Sequence, residues 1–185
     1  IKPYVGSRVL EIGAGIGNMS QWLPVGERLI LTEFDPDLLK ILEQSKTTLT
    51  QDSRVLIKPL DLFKDDLTWL KNENLDTVVS FNVLEHIDDD HAALSLLCDL
   101  LRSSRQPGPR RLVSFVPAHQ WAYGTVDKTV GHFRRYSQES LTAVCKRVAP
   151  EAKLTFKYFN AIGLLGWILN GKILKKEVNG MASIR

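Results

Sequence analysis

Sulfur is scarce in this chain, and long apolar stretches are missing. Its 185 residues include only two cysteines and two methionines. The apolar run Ala161–Leu169 is too short to cross a bilayer, because a spanning helix needs about 20 apolar residues. There is also no internal repeat and no low-complexity segment, which argues against a solenoid or a fibrous protein. The sequence therefore predicts a single globular domain over residues 1–185.

Cys98 and Cys145 both lie in apolar helical patterns, which predicts buried thiols rather than a disulfide. Reduced thiols fit a reducing compartment, so we expect a cytoplasmic protein. The four histidines show no metal-ligand spacing with cysteine, and on that ground the sequence predicts no metal site.

The net charge of +3 conceals an uneven distribution of charge. Residues 1–101 hold 9 Lys and Arg against 17 Asp and Glu, whereas residues 102–185 hold 15 against 4. If the C-terminal half faces the substrate, an anionic substrate or surface is favoured. The alternative is that these basic residues only cover solvated helices.

Short β-branched runs alternate with helical patterns along the chain. The predicted strands are Arg8–Ile12, Arg28–Glu33, Val55–Pro59, Asp76–Phe81, Arg111–Val116 and Leu154–Phe159. The predicted helices lie around Asn18–Leu23, from Pro36 to Leu49, over Asp90–Arg102, and from an N-cap at Ser137 to Val148. This alternation predicts an α/β fold, with a mostly parallel sheet and helices on both faces.

Two segments depart from that pattern. Ala118–Tyr136 is long, polar and aromatic where a simple turn would suffice. Loops longer than about 12–15 residues are usually functional or disordered, and the aromatic content here favours function. As a helix, Ala161–Leu169 could pack on the sheet, cover a substrate cavity or touch a membrane surface; packing on the sheet is favoured.

Three glycines, Gly13, Gly15 and Gly17, follow the first strand directly. Glycine lets the backbone turn sharply and lets a ligand approach without a Cβ in the way. Ligands of open α/β sheets bind outside the carboxyl ends of the strands, which is where these glycines are placed. The run therefore favours a nucleotide-type site.

Polar or small residues also follow the next three strands. Glu33 ends the second strand, where a carboxylate can accept from both ribose hydroxyls of an adenosine. Phe34 offers an apolar face for adenine, and Asp61 with Leu62 beside it can meet the adenine amine. Asn82, at the end of the fourth strand, is predicted at the same crevice.

Three motifs resemble those of class I S-adenosylmethionine-dependent methyltransferases. Val9-Leu-Glu-Ile-Gly-Ala-Gly-Ile-Gly17 resembles their motif I, and Ser80-Phe-Asn-Val-Leu-Glu-His-Ile87 resembles the motif at the end of their fourth strand. The run from Pro107 to Pro117 is similar to their entry into the fifth strand. The resemblance covers residues 5–160 and implies a Rossmann-like fold with S-adenosylmethionine as cofactor.

The same resemblance implies roles for individual residues. Along the methionine part of the cofactor it places Glu11, Gly13, Ala14, Gly15 and Gly17. It assigns the ribose to Glu33, the adenine to Phe34, Asp61 and Leu62, and the amino-acid end to Asn82. Family members usually have a helix before the first strand and a seventh strand near the end. Ile1–Tyr4 leaves no room for that helix, and we expect the seventh strand, at Met181–Arg185, to be incomplete.

The methyl acceptor is predicted from the segment Gly131-His-Phe-Arg-Arg-Tyr-Ser137. It resembles a type 11/12-like subgroup of bacterial small-molecule methyltransferases, often linked to glycan or lipid pathways. The acceptor is therefore expected to be a small molecule or linked to a glycan or lipid. A nucleic-acid acceptor is not expected, because the motif that such enzymes show after the fourth strand is replaced by Asn82-Val-Leu-Glu.

The long loop supplies the candidate catalytic residues. His132 is the predicted base, since imidazole titrates near neutral pH, and Asp127 is predicted to orient it or to act itself. Tyr136 is a third candidate. The residues predicted to bind substrate are Trp121, Arg134 and Arg135, the arginines through an anionic group.

Two other classes of function stay open at this point. A nicotinamide-dependent oxidoreductase would use the same fold, although Asn18 stands where its glycine fingerprint requires a third glycine. A non-catalytic module that binds the cofactor and holds a partner through Ala161–Leu169 is the second.

Overall fold

The computed structural model of the protein describes residues 1–45, 49–159 and 167. Two of the predicted features, the seventh strand at Met181–Arg185 and the apolar run Ala161–Leu169 apart from Trp167, lie outside the described residues.

Five parallel strands form one sheet in the order β3-β2-β1-β4-β5. They are β1 (Arg8–Ile12), β2 (Arg28–Glu33), β3 (Val55–Pro59), β4 (Thr77–Phe81) and β5 (Arg111–Phe115). The strand order reverses between β1 and β4, so the carboxyl ends of these two strands flank the switch point where open α/β sheets bind their ligands. The predicted parallel α/β sheet is thus confirmed.

Five α-helices accompany the sheet in the described part of the chain. They are α1 (Pro36–Gln44), α2 (Thr68–Asn72), α3 (Asp90–Arg102), α4 (Thr125–Thr129) and α5 (Gln138–Val148). α1 begins as the sequence predicts, because Asp35 caps it by accepting hydrogen bonds from the backbone N–H groups of Asp37 and Leu38. It ends at Gln44 rather than Leu49, and the helix predicted at Asn18–Leu23 is only the 3-10 turn Ser20–Trp22.

The strands are buried because their side chains are apolar on both faces of the sheet. Val9, Leu29, Leu31 and Val79 are fully buried and pack with Leu42 of α1. Burying each such side chain is worth about 1.5–3 kcal/mol. This packing fixes the register that brings the carboxyl ends of β1 and β2 side by side.

The sixth strand predicted at Leu154–Phe159 is wrong. Within the described residues the sheet has five strands, and this segment pairs with none of them. Its side chains do alternate between half-buried and exposed through Lys157, so the pattern behind the prediction is present. A period of two shows only that one face is covered, and here Tyr158 stacks on His119 with 5.3 Å between ring centroids.

The chain divides into two compact units. The first comprises Ile1–Val83 and Ser95–Phe115, and the second comprises Leu84–Leu94 and Val116–Arg185. Within the second, the predicted loop Ala118–Tyr136 is ordered by its own hydrogen bonds, including one from the His119 N–H to the Tyr136 carbonyl at 2.8 Å. The prediction of one domain over 1–185 stays a prediction.

Both cysteines lie in the described part of the chain, where they are half-buried and form no disulfide. No helix among the described residues combines the length and the apolar character that a membrane crossing requires.

Candidate active site

The glycine loop after β1 has the backbone conformation that glycine alone adopts readily. The φ angles of Gly13, Gly15 and Gly17 are +66°, +57° and +87°. A Cβ on Gly13 would lie 2.6 Å from a methyl group of Val83, so this glycine is required by packing as well. At Gly15 a Cβ would meet no atom within 4 Å, so the loop is open there.

Glu33, at the end of β2, is buried and bound to backbone N–H groups. Its Oε2 accepts from the Gly15 N–H at 2.8 Å, and its Oε1 accepts from the N–H groups of Phe34 and Asp35 at 2.8 and 2.9 Å. A carboxylate offers about four lone-pair positions, so one remains for a ligand. The carboxylate predicted at the ribose therefore also holds the glycine loop.

Glu11 lies on β1, one residue before its end, and is almost fully buried. Burial, with a smaller contribution from the nearby Glu33 carboxylate, raises the pKa of Glu11 to about 7, although the neighbouring Ser20 hydroxyl acts in the opposite direction. Its Oε2 has no hydrogen-bond partner among the described residues. A buried acidic group of this kind favours a neighbouring positive charge.

The side chains predicted at adenine follow β2 and β3. Phe34 is 52% exposed, so its face is available to a ring, whereas Leu62 is buried. Asp61 pairs with Lys64 at 2.9 Å, and this ammonium lowers the pKa of the Asp61 carboxyl. Asn82, after β4, is exposed and has a φ of +53°.

All the residues predicted to bind the cofactor belong to the first unit, and all those predicted for catalysis and for substrate binding belong to the second.

In the second unit, Asp127 is fully buried and its carboxylate accepts four hydrogen bonds. Oδ1 accepts from His132 Nδ1 and Arg135 Nε, at 2.9 and 2.8 Å. Oδ2 accepts from the Gly124 N–H and Trp167 Nε1, both at 2.9 Å.

These contacts determine the charge of Asp127. Burial by itself would raise the pKa of Asp127, but the hydrogen bonds from His132, Trp167 and Gly124 and the Arg135 charge lower it to about 2. An ionised carboxylate only accepts hydrogen bonds, so His132 presents its Nδ1–H to it. The lone pair of the neutral ring is then on Nε2.

His132 Nε2 lies 4.0 Å from Oε1 of Glu85, a residue that is fully buried. Burial raises the pKa of Glu85 to about 7. The ring of His86 meets that of His132 edge to face, with 4.6 Å between centroids, and Trp167 stacks on His132 at 6.0 Å. The second unit thus contains a compact group of a carboxylate and two imidazoles.

The other predicted side chains in this unit have structural partners. Arg134 donates to the Ile87 carbonyl at 3.0 Å and pairs with Asp90 at 3.1 Å. The Tyr136 hydroxyl also binds Asp90, at 2.9 Å, and burial followed by this carboxylate raises the pKa of Tyr136. Catalytic or substrate contacts of Arg134, Arg135 and Tyr136 stay predictions, and each of the three already has hydrogen-bond partners within this unit.

Trp121 differs from those residues in exposure. It is 59% exposed and lies 5.4 Å from His119 between ring centroids. An exposed aromatic face can contact an acceptor, and substrate binding by Trp121 stays a prediction.

Glu85 has no role in the predictions made from sequence. Its residue type is visible in the Ser80–Ile87 motif, but its partner His132 lies 47 positions further along the chain. The prediction of no metal site rests on the spacing of histidine with cysteine, and a glutamate beside a histidine does not fit that pattern. The signal that was available is the adjacent pair Glu85-His86.

The first unit fits S-adenosylmethionine in three respects. The space beside Gly15 admits a ligand against the backbone. Glu33 offers a carboxylate to a ribose, and the buried Glu11, with an unpaired oxygen, favours the cofactor's positive charge. The donor set therefore agrees with a cationic adenosine derivative.

Comparison with known proteins identifies the family. The model of the methyltransferase domain family matches residues 10–104, just over half of the chain. No curated protein matches the chain.

Solved structures share the fold at low sequence identity. An S-adenosylmethionine-dependent methyltransferase from Mesorhizobium loti has a TM-score of 0.57 at 14% identity, over 80% of this chain and 76% of that one. The methyltransferase domain of bacterial CtHen1-C has a TM-score of 0.60 at 17% identity, over 78% and 75%. Phosphoethanolamine N-methyltransferase 2 from Haemonchus contortus, solved with S-adenosyl-L-methionine, gives 0.57 at 19%, over 80% of this chain and 33% of that one.

The family match begins within β1 and extends just past α3, so it includes the glycine loop, Glu33 and Asn82. It removes the nicotinamide-dependent oxidoreductase as an alternative, because the matched family consists of methyltransferase domains. The chain therefore belongs to the methyltransferase domain family and is an S-adenosylmethionine-dependent methyltransferase.

Proposed function

We propose that the protein transfers a methyl group, by in-line displacement, to a hydroxyl of a small-molecule, glycan-linked or lipid-linked acceptor. The observation that carries this proposal is the buried Asp127–His132 pair, with its 2.9 Å hydrogen bond. A hydroxyl is a poor nucleophile until its proton is removed, whereas an amine at neutral pH needs less help. A buried carboxylate that orients an imidazole therefore supports an oxygen acceptor.

When bound, S-adenosylmethionine supplies a methyl group whose carbon–sulfur bond breaks as the acceptor oxygen attacks, leaving the electron pair on sulfur. The chain's own task is to hold the acceptor in line and to receive its proton, and orientation of this kind can supply several kcal/mol. Asp127 fixes the His132 ring through Nδ1, so that Nε2 is available to the acceptor hydroxyl.

The class of acceptor is inferred from the sequence of the C-terminal half. The Gly131–Ser137 resemblance favours small molecules and glycan-linked or lipid-linked acceptors. The excess of basic residues after position 101 favours an anionic group. Arg134 and Arg135 already bind carboxylates and carbonyls of their own unit, so an anionic group would have to use other cations.

Two measurements test the proposal. Isothermal titration with S-adenosylhomocysteine tests cofactor binding, and detection of S-adenosylhomocysteine formation across a panel of sugar, lipid-headgroup and phenolic hydroxyls tests the acceptor. We expect His132→Gln to lower kcat by about 10²–10⁴-fold, the usual contribution of a positioned base. His91→Gln, on the exposed side of α3, is the matched control. Full turnover of His132→Gln at saturating acceptor would contradict the proposal.

A further inference from the structure

We propose that Glu85, His86 and His132 bind one divalent first-row transition metal ion in the second unit. The ligand atoms of the three side chains all lie within 4.8 Å of one another. Two of them, His132 Nε2 and Glu85 Oε1, are 4.0 Å apart, which is too far for a hydrogen bond. Ligand bonds to zinc are about 2.0–2.2 Å long, so one ion between these two atoms needs only a small movement of the side chains.

The burial of Glu85 is the strongest reason to expect an ion. Its side chain is fully buried, and neither carboxylate oxygen has a hydrogen-bond partner among the described residues. An isolated buried carboxylate is strongly destabilising, so one without a partner in a folded protein indicates a missing water, proton or ion. The two imidazoles beside it are ligands that transition metals prefer.

The His132 imidazole is also held from its far side. Its Nδ1 donates to the Asp127 carboxylate at 2.9 Å. Metal-bound histidines almost always donate their second ring N–H to a carboxylate or a backbone carbonyl, which directs the other nitrogen at the ion. This support is independent of the distances among the ligands.

The arrangement resembles a site for reaction more than a site for stability. Structural zinc sites are closed by four protein ligands, whereas catalytic sites keep a position open. Among the described residues there are three protein ligands; Glu85 is buried and His86 is exposed, so solvent reaches one side. An acceptor hydroxyl can take the open position.

The role of the ion rests on the proposed function. A bound divalent ion would lower the pKa of a coordinated hydroxyl, whose proton would leave to solvent. The oxygen would then attack the methyl carbon as the carbon–sulfur bond breaks and leaves its electron pair on sulfur. The ion keeps the proposed hydroxyl methylation but changes the part of His132 in it: with the ion bound, the Nε2 lone pair would hold the ion, and the ion would activate the hydroxyl that a metal-free His132 deprotonates. The ion keeps its charge throughout, so no oxidant or reductant is required.

The test measures metal binding directly. The chain, freed of metal with a chelator, is titrated with Co²⁺ while visible absorption is followed, and with Zn²⁺ by calorimetry. We expect one ion per chain and the d–d bands of a nitrogen–oxygen site. Glu85→Gln and His132→Asn should each lower the affinity for Zn²⁺ at least 10-fold. His91→Gln, which alters another histidine of this unit, should leave that affinity unchanged. Affinity for S-adenosylhomocysteine should be the same in all four proteins.

Absence of stoichiometric Co²⁺ and Zn²⁺ binding to the unaltered chain overturns the site, whatever the variants do. An unchanged Zn²⁺ affinity in folded Glu85→Gln and His132→Asn also overturns the site. If circular dichroism shows that either variant fails to fold, His86→Asn, at the exposed ligand, is used in its place. Metal binding without hydroxyl methylation of any acceptor contradicts the proposed function and leaves the site standing. Full methylation after metal removal refutes only the role of the ion.

Discussion

Replacing Asp127 by asparagine tests the central carboxylate of the second unit. The side chain keeps its shape but loses its charge and one of its two acceptor oxygens. In the structure, both oxygens accept: Oδ1 from His132 and Arg135, and Oδ2 from Gly124 and Trp167. Asp127→Asn would therefore place an NH₂ group against donors on one side and leave Arg135 without its anion.

The magnitude follows from burial. Arg135 is 5% exposed and Asp127 is 0% exposed, so the ion pair between them is removed from water. Removing one member of a buried pair costs about 3–5 kcal/mol, because the other charge stays buried. A chain of 150–250 residues loses about 2–4 °C in Tm per kcal/mol, so Asp127→Asn should lower Tm by about 10 °C.

Thermal and urea denaturation, followed by circular dichroism, measure this loss. Asp88→Asn is the control, because Asp88 pairs with Arg134 at 3.5 Å and its side chain is 82% exposed. Such a pair is worth less than about 1 kcal/mol. If Asp127→Asn costs no more than Asp88→Asn, the carboxylate does not hold this unit together, and the orientation of His132 must have another cause.

Three further predictions concern the first unit. Without cofactor, the Glu11 carboxyl is protonated up to about pH 7 in the folded chain but only up to about 4.5 when unfolded, so the folded state binds more protons between these values. The free energy of unfolding should therefore fall by about 3 kcal/mol as pH rises through this range. In urea titrations at several pH values, Glu11→Gln should remove this part of the pH dependence. An unchanged pH dependence would show that another group causes it. Glu33→Ala should lower the affinity for S-adenosylhomocysteine about 10-fold or more in calorimetry, since a hydrogen bond to a charged group is worth about 1.5–3 kcal/mol. An unchanged affinity would show that Glu33 does not bind the ribose. Gly13→Ala should lower Tm more than Gly15→Ala, because only the former meets Val83, whereas Gly15→Ala should chiefly reduce cofactor affinity; the reverse order would contradict the geometry of the loop.

The sheet was largely predictable because its signals are local. Each of the five strands is a short apolar run that ends at a glycine, a proline or a polar residue, so its bounds agree with the structure to within one residue. The sixth strand failed for the opposite reason, since the alternation in Leu154–Phe159 does not reveal whether a partner strand exists. The short α2 also escaped prediction, because five residues provide too little helical periodicity.

The candidate sites divide in the same way. Glu33 and the glycine loop were predictable from strand ends, since a parallel sheet brings consecutive carboxyl ends to one edge. The contact between Glu85 and His132 joins a turn after β4 to a loop after β5, and no local pattern specifies that pairing. The partners of Arg134 and Arg135 could not be predicted either, because their side-chain directions depend on the fold of the whole loop.

The hydrogen bond from Gly15 to Glu33 has a consequence for turnover. With Glu33 at the ribose, two sugar hydroxyls compete with three backbone N–H groups for four lone pairs, so at least one amide must give way when cofactor enters. The same amide returns when the cofactor departs. S-adenosylmethionine and S-adenosylhomocysteine carry the same ribose, so this exchange would lower the affinity for both by the same factor. It would therefore speed the release of S-adenosylhomocysteine without changing the preference between the two.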